Sequence, residues 1–198
     1  MWAIVTDNTI TKTLNNPRGL IIDNIQYSRK IFSLWSVSEK EAKGIYEVVF
    51  NNTNKKDEAY YTNTNQSFAF ADGVVTASFG SATAKALADR NATDEDDVEL
   101  DPVVVIKGLK TKHKEIIKSQ ASGLLTPTDW YVIKATDVES YSVPSAITTF
   151  RTNVRTKSNT METAIDNAAN VDALAALYAY NDDDPPIRPL GEWPELEV

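Results

Sequence analysis

The spacing of apolar residues changes once along this chain, and that change constrains its fold more than any other feature. Up to about residue 80, apolar side chains recur at every second position, the period of a half-buried strand. Beyond about residue 103 they recur every three or four positions, the period of a helix. An Ala-rich and then acidic stretch, closed by Asp101-Pro102, separates the two regimes. Strands followed by helices imply an α+β protein. The expected organisation is an antiparallel β domain over residues 1–88, an acidic linker over 89–102, a small α-helical domain over 103–180, and an extended Pro-rich acidic tail over 181–198.

In the first half, Trp2–Thr6 and Thr9–Leu14 alternate around an Asp7-Asn8 turn. Residues 15–19, NNPRG, read as a loop, and 19–23 and 28–35 as further strands. Ser36 and Glu39 have capping-box spacing, which predicts a short helix stopped by Gly44. Strands are then expected over 45–50, 58–62, 66–71 and 74–79. The Asp72-Gly73 between the last two is the strongest hairpin signal in the chain. Short strands with tight turns predict a mostly antiparallel sheet or small barrel rather than βαβ units.

In the second half, a helix is expected over 103–122 with Gly123 as its stop. Thr128 and Asp129 are placed to cap a short helix through Trp130. The clearest helix opens at Pro144, a residue suited to a first helical position. Its apolar residues are Val143, Ile147, Phe150, Val154, Met161, Ile165 and Ala168, nearly a heptad seam with a break at Lys157 and Ser158. This seam packs either inside the molecule or against another subunit. Asn170 caps a last helix, 171–178. The tail carries four prolines, with Ile187, Leu190 and Trp193 as apolar anchors about three residues apart, the polyproline period. It is expected to dock on its own helical domain or on a neighbouring subunit.

The net charge of −8 is concentrated in two places. Residues 89–101 carry −6 and residues 181–198 carry −5, so the rest carries +3. That distribution offers no basic stripe for nucleic acid. With no cysteine, a disulfide framework, a Cys-zinc site and thiol catalysis are excluded. No secretory signal is expected at the start, and no apolar run approaches the roughly 18 residues that insert into a bilayer.

Residues with chemical potential have stronger structural readings. His113 is the one histidine, set among lysines with no adjacent nucleophile. The acids 94–101 are contiguous and lack the central glycine of a calcium loop. No glycine pattern suits a nucleotide. Tyr46, Tyr60, Tyr61, Phe68, Phe70 and Phe79 fall on strands and read as sheet core rather than a stacking platform. No catalytic, cofactor or metal residue is assigned.

The stretch from Leu124 to Arg155, LLTPTDWYVIKATDVESYSVPSAITTFRTNVR, resembles the C-terminal module of tail-fibre-assembly and tail-associated proteins of bacteriophages, notably marine ones. In that module a TDW, here Thr128, Asp129 and Trp130, precedes a helix bearing an aromatic-Arg pair and a second Arg, here Phe150, Arg151 and Arg155. Residues 1–5, 45–49, 61–68 and 72–78 are similar to small β modules of phage tail and virion proteins. Gly191-Glu-Trp-Pro194 resembles the termini of such proteins. The resemblance implies a non-enzymatic protein of the virion tail, made in the host cytoplasm. It would have no cofactor and would act on other tail or fibre proteins, with homo-oligomerisation as an option. It further implies Trp130 and Phe150 as core anchors, and Arg151, Arg155, Ile187, Leu190 and Trp193 as partner-binding residues. Compared with compact assembly chaperones, the Val-Pro linker is longer and the β half better developed, which favours a retained structural or attachment component. The alternative is a receptor-binding adhesin whose β domain contacts host glycan, with exposed strand aromatics.

Overall fold

The computed structural model describes residues 1–197. The chain is α+β and divides into two compact units, Met1–Thr83 and a second from Ala84 onward.

The first unit contains β1 (Trp2–Thr6), β2 (Thr9–Leu14), β3 (Leu20–Ile22), β4 (Ile25–Tyr27), α1 (Ile31–Leu34), α2 (Val37–Glu41), β5 (Ile45–Asn51), β6 (Tyr61–Thr62), β7 (Ser67–Ala71) and β8 (Val74–Ser78). Five strands form one sheet in the order β2-β1-β5-β8-β7. All its pairings are antiparallel except that of β5 with β8, which is parallel. The sheet is thus mostly antiparallel, as expected, with one parallel pair that the strand pattern did not predict. After β5 the chain passes over one strand position to form the edge strand β7. The Asp72-Gly73 hairpin then returns β8 into the gap. The edge strands β2 and β7 approach within 8 Å, Cα to Cα, so the sheet curls toward a barrel.

Alternation along β1 places residues on both faces of this sheet. Ala3 and Val5 join Val48, Val75 and Ala77 in one core, against which Tyr46, Phe68 and Phe70 pack. Trp2 and Ile4 pack on a second core of Leu14, Leu20, Ile31, Phe32 and Ile45. The β3-β4 hairpin and α1 contribute to that second core.

Three hairpins turn through residue pairs with positive φ: Asp7-Asn8 (51°, 60°), Asp23-Asn24 (51°, 63°) and Asp72-Gly73 (51°, 75°). Positive φ at both central positions is the geometry that suits two-residue hairpins, and Asn, Asp and Gly tolerate it best. Residues 28–35, expected as a strand, instead hold the helical turn α1. Ser28 accepts backbone N–H bonds from Lys30 and Ile31, which turns the chain before any ladder forms. Ile31 and Phe32 are buried and Trp35 packs beside them; such close spacing fits a helical turn as well as a strand. The capping box at α2 forms as expected, with Ser36 Oγ accepting from the Glu39 N–H and the Glu39 carboxylate accepting from the Ser36 N–H.

The second unit follows the two-residue strand β9 (Thr83–Ala84) at the boundary. It contains β10 (Arg90–Asn91), β11 (Val105–Ile106), α3 (Leu109–Leu125), a 3-10 turn (Thr126–Thr128), α4 (Asp129–Asp137), α5 (Ser145–Asn167) and α6 (Val171–Ala176). The acidic stretch 89–102 therefore belongs to this unit instead of linking two domains. The helix expected from residue 103 starts six positions later. Four consecutive β-branched residues, Val103–Ile106, favour extended backbone, and Gly108 caps α3. A Cβ on Gly108 would lie 2.4 Å from backbone atoms of Leu87 and Ala88, so this close crossing requires glycine. Gly123 does not stop α3; the helix runs to Leu125 and tightens into the 3-10 turn at Pro127.

Helices α3 and α5 form the core of this unit. The α5 seam is continuous: Ser158 fills the apparent break, buried, with its hydroxyl donating to Glu162 Oε1 at 3.2 Å. Ile147, Phe150, Val154, Met161 and Ile165 complete the buried stripe.

Gly44 has φ 71°, and a Cβ there would lie 2.3 Å from the Val5 carbonyl oxygen, where the Val5 N–H already donates to Gly44 O. Gly44→Ala is expected to destabilise the first unit by about 2 kcal/mol or more, combining left-handed strain with displacement of β1. Gly73→Ala, at φ 75° with open space around it, should cost only about 1 kcal/mol. Urea unfolding of the two variants, followed by amide exchange in β1 and β5, measures the difference.

Candidate functional site

The TDW stretch joins the end of α3 to the start of α4, and α5 crosses it. α3 ends with unpaired carbonyls, as every helix does. Arg151, on α5, answers one of them: its guanidinium donates to Leu125 O at 3.0 Å. It also donates to Thr128 Oγ1 at 2.5 Å and pairs with the Asp129 carboxylate at 2.7 Å. Thr128 Oγ1 in turn donates to Leu125 O at 2.7 Å. All three contacts are made by Nη1, so one cationic nitrogen serves a helix C-terminus, a hydroxyl and an acid at the next helix N-terminus. The Arg151 side chain is only 11% exposed. Arg151, expected at a partner, is largely buried and fastens α5 to the α3–α4 junction through Nη1, while also lining the open cleft beside Arg155. Arg155, one turn on, stays at the surface and donates to Arg151 O at 3.4 Å. With Lys118, Asp129 and Ser158 it lines an open cleft of about 370 Å³.

The two expected anchors part company. Phe150 is 6% exposed and packs with Ala121 and Val154, flanked by Leu124, Leu125 and Trp193. Trp130 is not an anchor: it is 50% exposed, with its ring 3.9 Å from that of Tyr131. Helix α4 buries no residue at all. Ile133, on the same face as Trp130, is 60% exposed, and Val132 is 41% exposed. Lys134 lies over the Trp130 and Tyr141 rings. This helix thus leaves Trp130, Val132 and Ile133 about half exposed.

The tail docks on its own unit. Trp193 Nε1 donates to Gln120 Oε1 on α3 at 3.0 Å, and its ring packs on the Phe150 core. Leu190 is buried, and its N–H donates to Leu177 O at 2.9 Å. Arg188 pairs with Glu192 at 2.8 Å, and Tyr180 donates to the same carboxylate. That acceptor role of Glu192 raises the Tyr180 phenol above its usual pKa. So Leu190 and Trp193, expected at a partner, are held within the chain. Ile187 remains exposed.

Groups that could suggest chemistry do not converge. Burial lowers the pKa of His113, whose ring packs tilted against that of Tyr178, centroids 4.8 Å apart. Asp89 is held below the usual carboxylate range, first by the Gly108 N–H and then by Thr111, where it braces the start of α3. A cleft of about 670 Å³ in the first unit is lined by Lys12, Lys43 and Asp23 among backbone and aliphatic groups, with Lys43 and Asp23 paired at 3.2 Å. Among the described residues no group of three His, Cys, Asp or Glu is placed to hold a metal ion, and no helix is long and apolar enough to cross a membrane. Tyr46, Phe68 and Phe70 pack on the sheet core, whereas Phe50 is exposed.

Arg151→Met should destabilise the second unit by about 2 kcal/mol, because the Thr128 hydroxyl and Leu125 carbonyl lose a charged donor. The half-exposed Asp129 adds little to that loss. Thermal melting monitored at 222 nm, together with faster amide exchange across residues 126–137, checks this. Gln120→Ala should instead release only the Trp193 indole N–H, a loss of about 1 kcal/mol confined to the tail.

Compared with known proteins, the chain matches no family model, no curated protein and no solved structure.

Proposed function

We propose that this chain is a non-enzymatic component of a bacteriophage tail, structural or in assembly at the fibre or its attachment site, and that it works by contact with other tail polypeptides. The observation that carries the reading is the division of labour inside the TDW–Arg pattern. Thr128, Asp129 and Arg151 are accounted for by bonds within the unit. Trp130 and its face-mate Ile133 are not: they stand on a helix that buries nothing. Water-exposed Trp and Ile side by side carry a solvation cost that a binding surface removes. The contact surface of this reading is therefore α4, with Arg155 as a nearby cation, and not Arg151 or the docked tail.

Trp130→Ser combined with Ile133→Ser leaves folding within about 0.5 kcal/mol of the parent, as expected for surface positions. The same double variant should fail to co-purify with the tail and fibre polypeptides of its phage, which the parent chain captures. Undiminished capture by the double variant, or absence of any tail polypeptide from the parent's complexes, overturns the proposal.

A further inference from the structure

The open cleft at the α3–α4 junction has a charge left over. α3 supplies Lys118, Ala121 and Leu125 to its lining, α5 supplies Arg151 and Arg155, and α4 supplies Asp129. The three cations are not equally occupied. Arg151 Nη1 is held by Leu125, Thr128 and Asp129. Lys118 Nζ lies 3.4 Å from Glu162 Oε2. Arg155 is exposed and, among the described residues, is in no ion pair. Its Nη1 donates only to Arg151 O, a long bond of 3.4 Å. Glu162 does not reach it: seven residues of helix put the two about 10 Å apart along the axis, and Glu162 is already engaged by Lys118 and Ser158.

The lining decides what fits. Asp129 cancels Arg151 and Glu162 cancels Lys118, so one positive charge remains, on Arg155. One carboxylate balances it. A phosphate, at about −1.5 to −2 near neutral pH, would bring more charge than the cleft answers, and a run of acids would meet Asp129 and Glu162. The volume, about 370 Å³, has room for more than one side chain, and Ala121 and Leu125 add apolar surface. The cleft also adjoins the exposed face of α4. Ile133 is four residues from Asp129, so the two are neighbours on one side of that helix, and Trp130 follows Asp129 directly. A segment lying over Trp130 and Ile133 therefore reaches the cleft at Asp129. Arg151 fastens the three helices around it, so the surface is formed before anything binds.

We propose that the partner segment covering α4 carries one Asp or Glu whose carboxylate enters this cleft and pairs with Arg155, beside apolar residues that cover Trp130 and Ile133. The apolar contact supplies affinity, and the single ion pair fixes the register of the segment on α4. The inference rests on α4 as the contact surface and names the chemistry of what binds there; it can fail while that reading holds.

The full chain with Arg155→Lys is expressed during phage infection, and its complexes are treated with a carbodiimide. The reagent activates a carboxylate; a neighbouring amine attacks the acyl carbon, the urea leaves and an amide forms. The substitution keeps the charge and makes position 155 report any acid set against it. Mass spectrometry is expected to find position 155 joined to one Asp or Glu of a tail or fibre polypeptide. Arg155→Glu should lower the yield of that polypeptide about tenfold, the effect of losing one charged hydrogen bond. Arg155→Gln should flatten the fall in yield with rising salt. Residue 155 is exposed, so these variants fold as the parent does. A captured tail polypeptide with no link to position 155, or a link only to an acid of this chain, overturns the proposal. So does undiminished capture by Arg155→Glu, or capture lost with the charge-conserving Arg155→Lys. If Trp130→Ser with Ile133→Ser still abolishes capture in those cases, α4 remains the contact surface without this carboxylate. A parent chain that captures no tail polypeptide overturns both.

Discussion

The Arg151 guanidinium is the contact on which the organisation of the helical unit depends. It meets a helix C-terminus at Leu125, a hydroxyl at Thr128 and the first acid of α4 at Asp129. Each of these is a weak partner alone: a lone carbonyl, a neutral hydroxyl and a half-exposed carboxylate. Together they set the direction in which α4 leaves α3. α4 has no buried side chain of its own, so apart from its chain connection and helical hydrogen bonds this junction is what positions it. The apolar seam of α5 gives Arg151 a rigid base, and the Phe150 core beside it is closed by Trp193 from the tail.

Two consequences follow for function. A residue that looks like a recognition group in a linear motif is here part of the fastening of the fold, since the Arg151 Nη1 is committed to Leu125, Thr128 and Asp129. Conversely, the residue that looks like a core anchor stands in solvent. The part of the motif unexplained by folding is therefore Trp130 with Ile133, and the proposed contact surface rests on that remainder.

The parts of the fold legible in the sequence are those decided locally. Asp72-Gly73 and the Ser36–Glu39 capping box need only neighbours a few residues away, and both form. Asp23-Asn24 carried the same signal as Asp7-Asn8, and reading it would have placed β3 and β4 correctly. The parallel β5-β8 pair was not legible, because nothing near either strand records that β7 takes the edge. Residues 103–106 and α3 blur into one apolar pattern, separated by the β-branched run Val103–Ile106 and the close backbone crossing at Gly108. Burial of Phe150 followed from the α5 period. The exposure of Trp130 did not, because a nine-residue helix has too few positions to reveal which face meets a core. Arg151 was expected at a partner; whether a cation bonds inward or outward depends on where Leu125 and Asp129 end up.

The central claim is that α4 is held out by Arg151 in order to meet another polypeptide. It is tested most directly by placing a photoreactive benzoylphenylalanine at Ile133 in the chain expressed during phage infection, irradiating, and identifying what is attached. The account predicts a cross-link from position 133 to a different tail or fibre polypeptide in assembled particles, and the same cross-link lost when Trp130→Ser is added. A label at position 133 that attaches only within its own chain, in particles that contain the protein, would contradict it.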